Sequence, residues 1–446
     1  MKNANDKLVM GVAQEKITPE VGCLLCGYVL DLASKSVNDD LTATAFYFSQ
    51  GGVESIMVSL TVCIITEDIA WTIRKMIQDK TGVPAENVLL HTTHTHSGPV
   101  TGNVVGFGVA DMKYIDGVFV PGILKASVDA KASAEPVSMA VATGNSYVAV
   151  NRRELTEDNE VKLGQNPWGA LDPTMTVISF KNDAGVIKGT MVHYGCHGTA
   201  AGRSVEITRD WSGVMVDAVS RYGGGICAFF GGPEGDVGPR LMNGQTTAGE
   251  EPKHILGEVA IAIEHGGYAA QDALKIFKSN LHYSSDATLE VSTKTLKLPV
   301  DPRPTLEFAK EEYEKYKQYT VNYLGAYASH LRDVIKSYED GYEDKESRDV
   351  VQTIVRIGDV AFISFSYELF AEIGLRIKKH SPIPFTLSLS NTQGTDGYFP
   401  TESDICRGGY EVTMFKMKYI QPIANNGDIH LIKGTLEHLR SLDKDN

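Results

Sequence analysis

Short runs of β-branched and aliphatic residues alternate with helix-patterned segments along most of this chain. That alternation restricts it to folds that layer helices on a sheet. Leu8-Val-Met-Gly-Val-Ala and Ser55-Ile-Met-Val-Ser-Leu-Thr-Val-Cys-Ile-Ile read as strands. Residues 67–80 read as an amphipathic helix, stopped by Gly82 and Pro84. Val88-Leu-Leu-His-Thr-Thr-His-Thr-His reads as the next strand, broken by Ser97-Gly98-Pro99. Further strands are predicted at 139–149, 175–180, 189–194, 226–230, 350–366 and 385–389, and helices at 210–222 and 369–379. Residues 305–346, rich in Glu, Lys and Tyr at helical spacing, predict an inserted helical pair, either a plain surface hairpin or a lid. No internal repeat and no low-complexity linker is visible. The expected fold class is therefore α/β (mixed α+β): a single large catalytic domain over 1–446, with a mixed central β-sheet flanked by helices.

Charge narrows the partners. The 446 residues carry a formal net charge of −14, which argues against nucleic acid or an anionic membrane as the main partner, since both would repel the chain. No run approaches the roughly 18 apolar residues of a membrane span. Residues 1–10 are polar and lack the apolar stretch of a signal peptide, so the expectation is a cytoplasmic protein with a small-molecule substrate. Six cysteines in a chain of this length are too sparse for a disulfide scaffold. Cys23-Leu-Leu-Cys26 has no second pair to complete a metal site, and buried free thiols are the better reading.

Five segments carry the residue types that chemistry needs. In His91-Thr-Thr-His94-Thr-His96-Ser-Gly-Pro, residues i and i+2 of a strand face one side, so His94 and His96 are expected to converge at its end. Neutral imidazole is a favoured zinc ligand, although an isolated histidine is more often a satisfied structural residue. His193-Tyr-Gly-Cys-His197-Gly-Thr199 also follows an apolar strand and ends in small residues. Gly231-Gly-Pro-Glu-Gly-Asp236-Val-Gly238-Pro239 follows the 226–230 strand as a tight turn or a loop that lets a ligand approach the backbone. It lacks the lysine and hydroxyl of a phosphate-binding loop. Glu368 falls where an apolar strand gives way to a helix, a place for a metal ligand or for a helix-favouring charge. Asn391-Thr-Gln-Gly-Thr-Asp-Gly397-Tyr398 and Tyr410-Glu411 close the series.

In this order, these segments resemble the neutral/alkaline non-lysosomal ceramidase family, over roughly residues 9–411. Thr93-His-Thr-His-Ser-Gly-Pro99 is similar to its THTHSGP, Asn151-Arg152 to its NRS, and Cys196-His197-Gly-Thr199 to its HPT segment. Gly235-Asp236-Val237-Gly238-Pro239 is similar to its GDVSPN, and Glu368 to the Glu of its GEFTT. The resemblance implies zinc held by His94, His197, Glu368 and Tyr398. It also implies catalytic roles for His96, Arg152, Asp210 and Asp236. Two departures stand out: the serine of GDVSPN is Gly238 here, and the family's C-terminal immunoglobulin-like domain is not expected. The expected activity is zinc-dependent hydrolysis of an amide, ester or lactone in a small soluble compound. The rivals are a true ceramidase, a zinc isomerase or lyase acting beside a carbonyl, and a non-catalytic binding protein on the same fold.

Overall fold

Three times along the chain the same succession of elements appears. The first run comprises strands Val9–Lys16, Thr42–Gln50 and Val53–Leu60, helix Glu67–Thr81, strand Val88–Thr92 and helix Val120–Ala132. The second comprises Glu135–Asn145, Thr174–Asn182, Ile187–Tyr194, helix Asp210–Val219, Ile226–Gly231 and helix Val259–Phe277. The third comprises Leu289–Pro299, Ser347–Ile357, Val360–Ser364, helix Ala371–His380, Phe385–Leu389 and helix Gly427–Arg440. In each, the first three strands pair antiparallel and the fourth returns through a helix to lie parallel to the third. These are the elements of a computed structural model that describes residues 7–28, 30–104, 108–241, 258–279 and 281–443; residues 1–6 of the polar N-terminus lie outside them. A threefold structural repeat thus underlies a sequence in which none is visible.

The first two units join into one eight-stranded sheet through Val9↔Pro136 and Met10↔Glu135, and the third forms its own four-stranded sheet. The period-2 alternation of strands explains the layering. In the first unit Ala43, Ala45 and Tyr47 face Ile73, Ile77, Ile123 and Ala126 of its helices. Phe46 and Phe48, between them, face a core shared by all three units with Phe180, Met191, Phe230, Phe362 and Leu389. Val177 and Val192 of the second unit pack on Trp211 and Met215, while Ile178 and Met191 point to the shared core. Ile354 and Ile363 of the third pack on Ile373 and Leu431, while Val355 and Phe362 point inward. The result is a central sheet core with each unit's helices outside it, a mixed α/β fold as expected. No helix among the described residues is long and apolar enough to cross a membrane.

The three fourth strands meet at their C-terminal ends. The Gly231 amide donates to His91 Nε2 at 2.7 Å, His91 Nδ1 donates to the Ser390 carbonyl at 3.0 Å, and the Ser390 amide donates to the Gly231 carbonyl at 3.2 Å. The loops that leave this junction carry the candidate residues. The segment between the first two strands of each unit is the variable part: 17–41, 146–173 and 300–346. The last holds the predicted helical pair, Leu306–Tyr316 and Asn322–Glu339, packed on each other through Ala309, Leu331 and Val334. All six cysteines are free; four are buried, Cys23 is half-buried and Cys406 is exposed.

Candidate metal centre

One residue from each unit meets at the junction. His94 follows the fourth strand of the first unit, His197 the third strand of the second, and Glu368 the third strand of the last. The strand that should have aligned His94 with His96 ends earlier, at Thr92. His94 has left-handed backbone (φ 59), so the pleat does not set the two imidazoles. They meet all the same, Nε2 to Nε2 at 3.3 Å, because the turn folds His96 back over His94. The amide of His96 is held by the Gly198 carbonyl at 3.1 Å, which ties the two histidine loops together.

Both ligand candidates are fixed in one tautomer. His94 Nδ1 donates to the Cys63 carbonyl at 2.8 Å and His197 Nδ1 to the Glu234 carbonyl at 2.7 Å. Each therefore presents the bare lone pair of Nε2 to the centre. Glu368 Oε2 lies 3.5 Å from Nε2 of His94 and 3.2 Å from Nε2 of His197. Burial and the neighbouring Arg152 and His94 hold His197 well below the ordinary imidazole range, so it is neutral. Two lone pairs facing a carboxylate in a buried site repel unless a cation lies between them. His197 Nε2 and Glu368 Oε2 are in fact buried with no hydrogen-bond partner. A tetrahedral ion with ligands about 2.0–2.1 Å away separates its donor atoms by about 3.4 Å, which matches these edges. The donors of His94, His197 and Glu368 all lie within 4.8 Å of one another, and His96 is not part of that set. The residues present thus fit a divalent metal such as zinc.

Glu368 and Tyr398 are register partners of a two-residue parallel ladder. Tyr398 accepts from Arg152 Nη2 at 3.0 Å, with the guanidinium 5.4 Å from its ring. Burial and the nearby Glu368 push its hydroxyl pKa up. Arg152 also donates from Nε to Glu411 at 3.0 Å, and Arg153 donates to the other oxygen of Glu411 at 2.7 Å. Tyr410 packs edge-on against Tyr398 at 5.7 Å and touches Tyr323 of the helical insertion at 6.3 Å. His96 stands edge-on to Tyr28 at 4.8 Å.

The two aspartates are placed differently. Asp210 accepts the amides of Ala200, Ala201 and Trp211 at 2.7–3.0 Å and so pins the segment after His197 to a helix start. Asp236 accepts the Ala371 amide at 2.7 Å and Asn151 Nδ2 at 2.8 Å, while its carbonyl takes the Arg152 amide. Burial raises Asp210 to about 6 and Asp236 to about 7. Their contacts are with the backbone and amide groups that hold Arg152, His197 and the Glu368 segment.

Glu234 is the group that sequence reasoning did not single out. Its carbonyl orients His197, its Oε1 accepts Asn391 Nδ2 at 2.7 Å, and its Oε2 is buried without a partner. A carboxylate inside a glycine-rich loop after a buried strand was the available signal. Nothing in the spacing marked Cys63, whose carbonyl holds His94.

Comparison with known proteins bears on the family and the fold. Residues 8–251 match the family model for the neutral/alkaline non-lysosomal ceramidase N-terminal region, more than half of the chain. The chain belongs to this family. Neutral ceramidase B of Dictyostelium discoideum is 27% identical over 217 residues, covering 44% of this chain and 30% of that protein; neutral ceramidase A is 27% identical over 218 residues with the same coverage. The match thus spans under a third of these curated ceramidases. The crystal structure of neutral ceramidase from Pseudomonas aeruginosa superposes with a TM-score of 0.73 at 18% identity, over 98% of this chain and 74% of that one. A ceramidase complexed with C2 gives 0.73 at 17% identity, over 98% and 76%. At such identity these two structures establish the shared fold.

Proposed function

We propose that this chain is a zinc-dependent amidohydrolase of the ceramidase type, acting as one catalytic domain on an amide, or on an ester or lactone, of a small soluble compound. The observation that carries this reading is the convergence of His94, His197 and Glu368 with unpartnered buried donor atoms. Zinc bound there would supply Lewis acidity, polarising the acyl carbonyl and bringing the pKa of water near neutrality. The chain's own groups supply the rest. Arg152, braced by Glu411 and Tyr398, donates to the carbonyl oxygen as negative charge grows on it. His96, next to His94, accepts a proton from the attacking water and returns it to the leaving nitrogen. The new C–O bond takes its oxygen from water, the C–N bond breaks, and the products are an acid and an amine. Asp210 and Asp236 serve as positioning residues, through the amides they hold. No serine is needed, so Gly238 is compatible with the reaction.

The similar proteins are ceramidases, which favours ceramide as the alternative substrate. Zinc-loaded protein should be screened against ceramide, short N-acyl amines and lactones, with products read by mass spectrometry. Addition of water with cleavage supports hydrolysis, and an isomeric or eliminated product supports the isomerase or lyase reading instead. Full zinc content and full activity in His197→Ala would refute the assignment.

A further inference from the structure

Neither backbone nor packing demands the glycine at position 238. Gly238 lies in the short strand Val237–Pro239, paired with Val150, and its φ is outside the left-handed region. The glycines of the adjoining loops are sterically required. An added Cβ would come within 2.3 Å of Pro233 at Gly195, 2.7 Å of His94 at Gly198, 2.9 Å of His193 at Gly232 and 2.3 Å of Glu368 at Gly235. At Gly238 the nearest atoms are Cδ and Cβ of Arg152, at 3.8 and 3.9 Å, ordinary contact distances. The position is nonetheless buried. What this glycine leaves is room for one methyl-sized group against the Arg152 stem, where a side chain would otherwise begin. That space adjoins the metal centre, since Val237 beside it accepts the His197 amide at 3.1 Å and Arg152 reaches Tyr398.

We propose that Gly238 opens a subsite beside Arg152 that receives a substituent on the carbon next to the scissile carbonyl. Position 238 is then specificity-determining, and the preferred substrates are amides of α-branched or ring-bearing acids. The inference rests on the reading above in one respect, that Arg152 faces the acyl carbonyl. A group lying against the Arg152 stem is then on the acyl side of that carbonyl, where a branch of the acid fills the room that a straight chain leaves empty.

The test compares wild type with Gly238→Ala, Gly238→Ser and Gly238→Val, all zinc-loaded. Substrates are the acetyl, 2-methylpropanoyl and 2,2-dimethylpropanoyl amides of one fluorogenic amine. The ratio of kcat/KM for branched over acetyl amide should fall about threefold in the alanine variant and about tenfold or more in the larger ones. Zinc content and Tm should be unchanged in Gly238→Ala and Gly238→Ser, which carry the comparison should Gly238→Val not fold. Calorimetric binding of acetate and 2,2-dimethylpropanoate to the same proteins is the second arm, and it does not require turnover. A branched-to-acetate affinity ratio that tracks residue 238 without any amide cleavage upholds the subsite and removes the hydrolase reading. Ratios that stay constant across the variants in both arms overturn the subsite.

Discussion

His91 Nε2 accepts the amide proton of Gly231 at 2.7 Å, joining the last strand of the first unit to the last strand of the second. The bond requires a neutral imidazole whose proton sits on Nδ1, facing Ser390 of the third unit. Burial pushes the His91 pKa down from the ordinary 6.5 to about 3. A base depressed on folding stabilises the fold above its unfolded pKa, and that stabilisation drains as pH falls from 6.5 toward 3. At pH 4.5 about 3 kcal/mol should be lost through this residue. His91→Gln should start less stable at pH 7, and its deficit against wild type should shrink toward pH 4.5 in urea unfolding. A deficit independent of pH would mean that His91 contributes packing alone.

Removing a donor of the centre should release the metal. His197→Ala and Glu368→Gln should each bind zinc at least about 100-fold more weakly than wild type, read by competition with a chromophoric chelator. Because the triad draws one residue from each unit, chelating the metal from wild type should also lower Tm. The Tm of His197→Ala should not respond to chelator.

Glu411 is buried between two guanidiniums, accepting from Arg152 and Arg153. Glu411→Ala takes the carboxylate from buried Arg152 and leaves Arg153 with Asp404 alone, and should cost about 3–5 kcal/mol of stability. Arg152→Lys keeps the charge and loses the planar fork that spans Glu411 and Tyr398, so kcat should fall about 100-fold with zinc retained. Equal loss of zinc and of activity in that variant would place Arg152 in metal binding instead.

Asp210→Asn turns an acceptor into an NH₂ that faces main-chain amides, and should destabilise by about 1–3 kcal/mol. As a positioning residue, Asp210 should affect activity only as far as zinc occupancy falls. A normal Tm and zinc content with a collapsed kcat would make it catalytic.

Much of this centre could be read before the fold was known, and the reason differs by residue. His94, His96 and His197 were visible because apolar strands ended in histidine and small residues. Glu368 was open between a metal ligand and a helix-favouring charge, and Tyr398 was one aromatic in a glycine-rich loop; resemblance to a family pattern alone assigned both to the metal. Glu234 and Cys63 escaped because they act through carbonyl oxygens, which every residue possesses. The threefold repeat escaped because pairing and layering need only alternating apolar residues. Phe46 in one unit and Met191 or Phe362 in the others fill the shared core equally well.

Local pattern by itself determined the elements: where strands and helices form, which face of each is apolar, and which loops carry imidazole, carboxylate and glycine. These follow from steric preferences and periodicity acting over a few residues. Only the tertiary structure decided that three loops far apart in sequence share one point, that His94 and His96 meet through a left-handed turn, and that Gly238 leaves space. Each of these depends on contacts between segments far apart in sequence, within or between units, which no short stretch of sequence encodes.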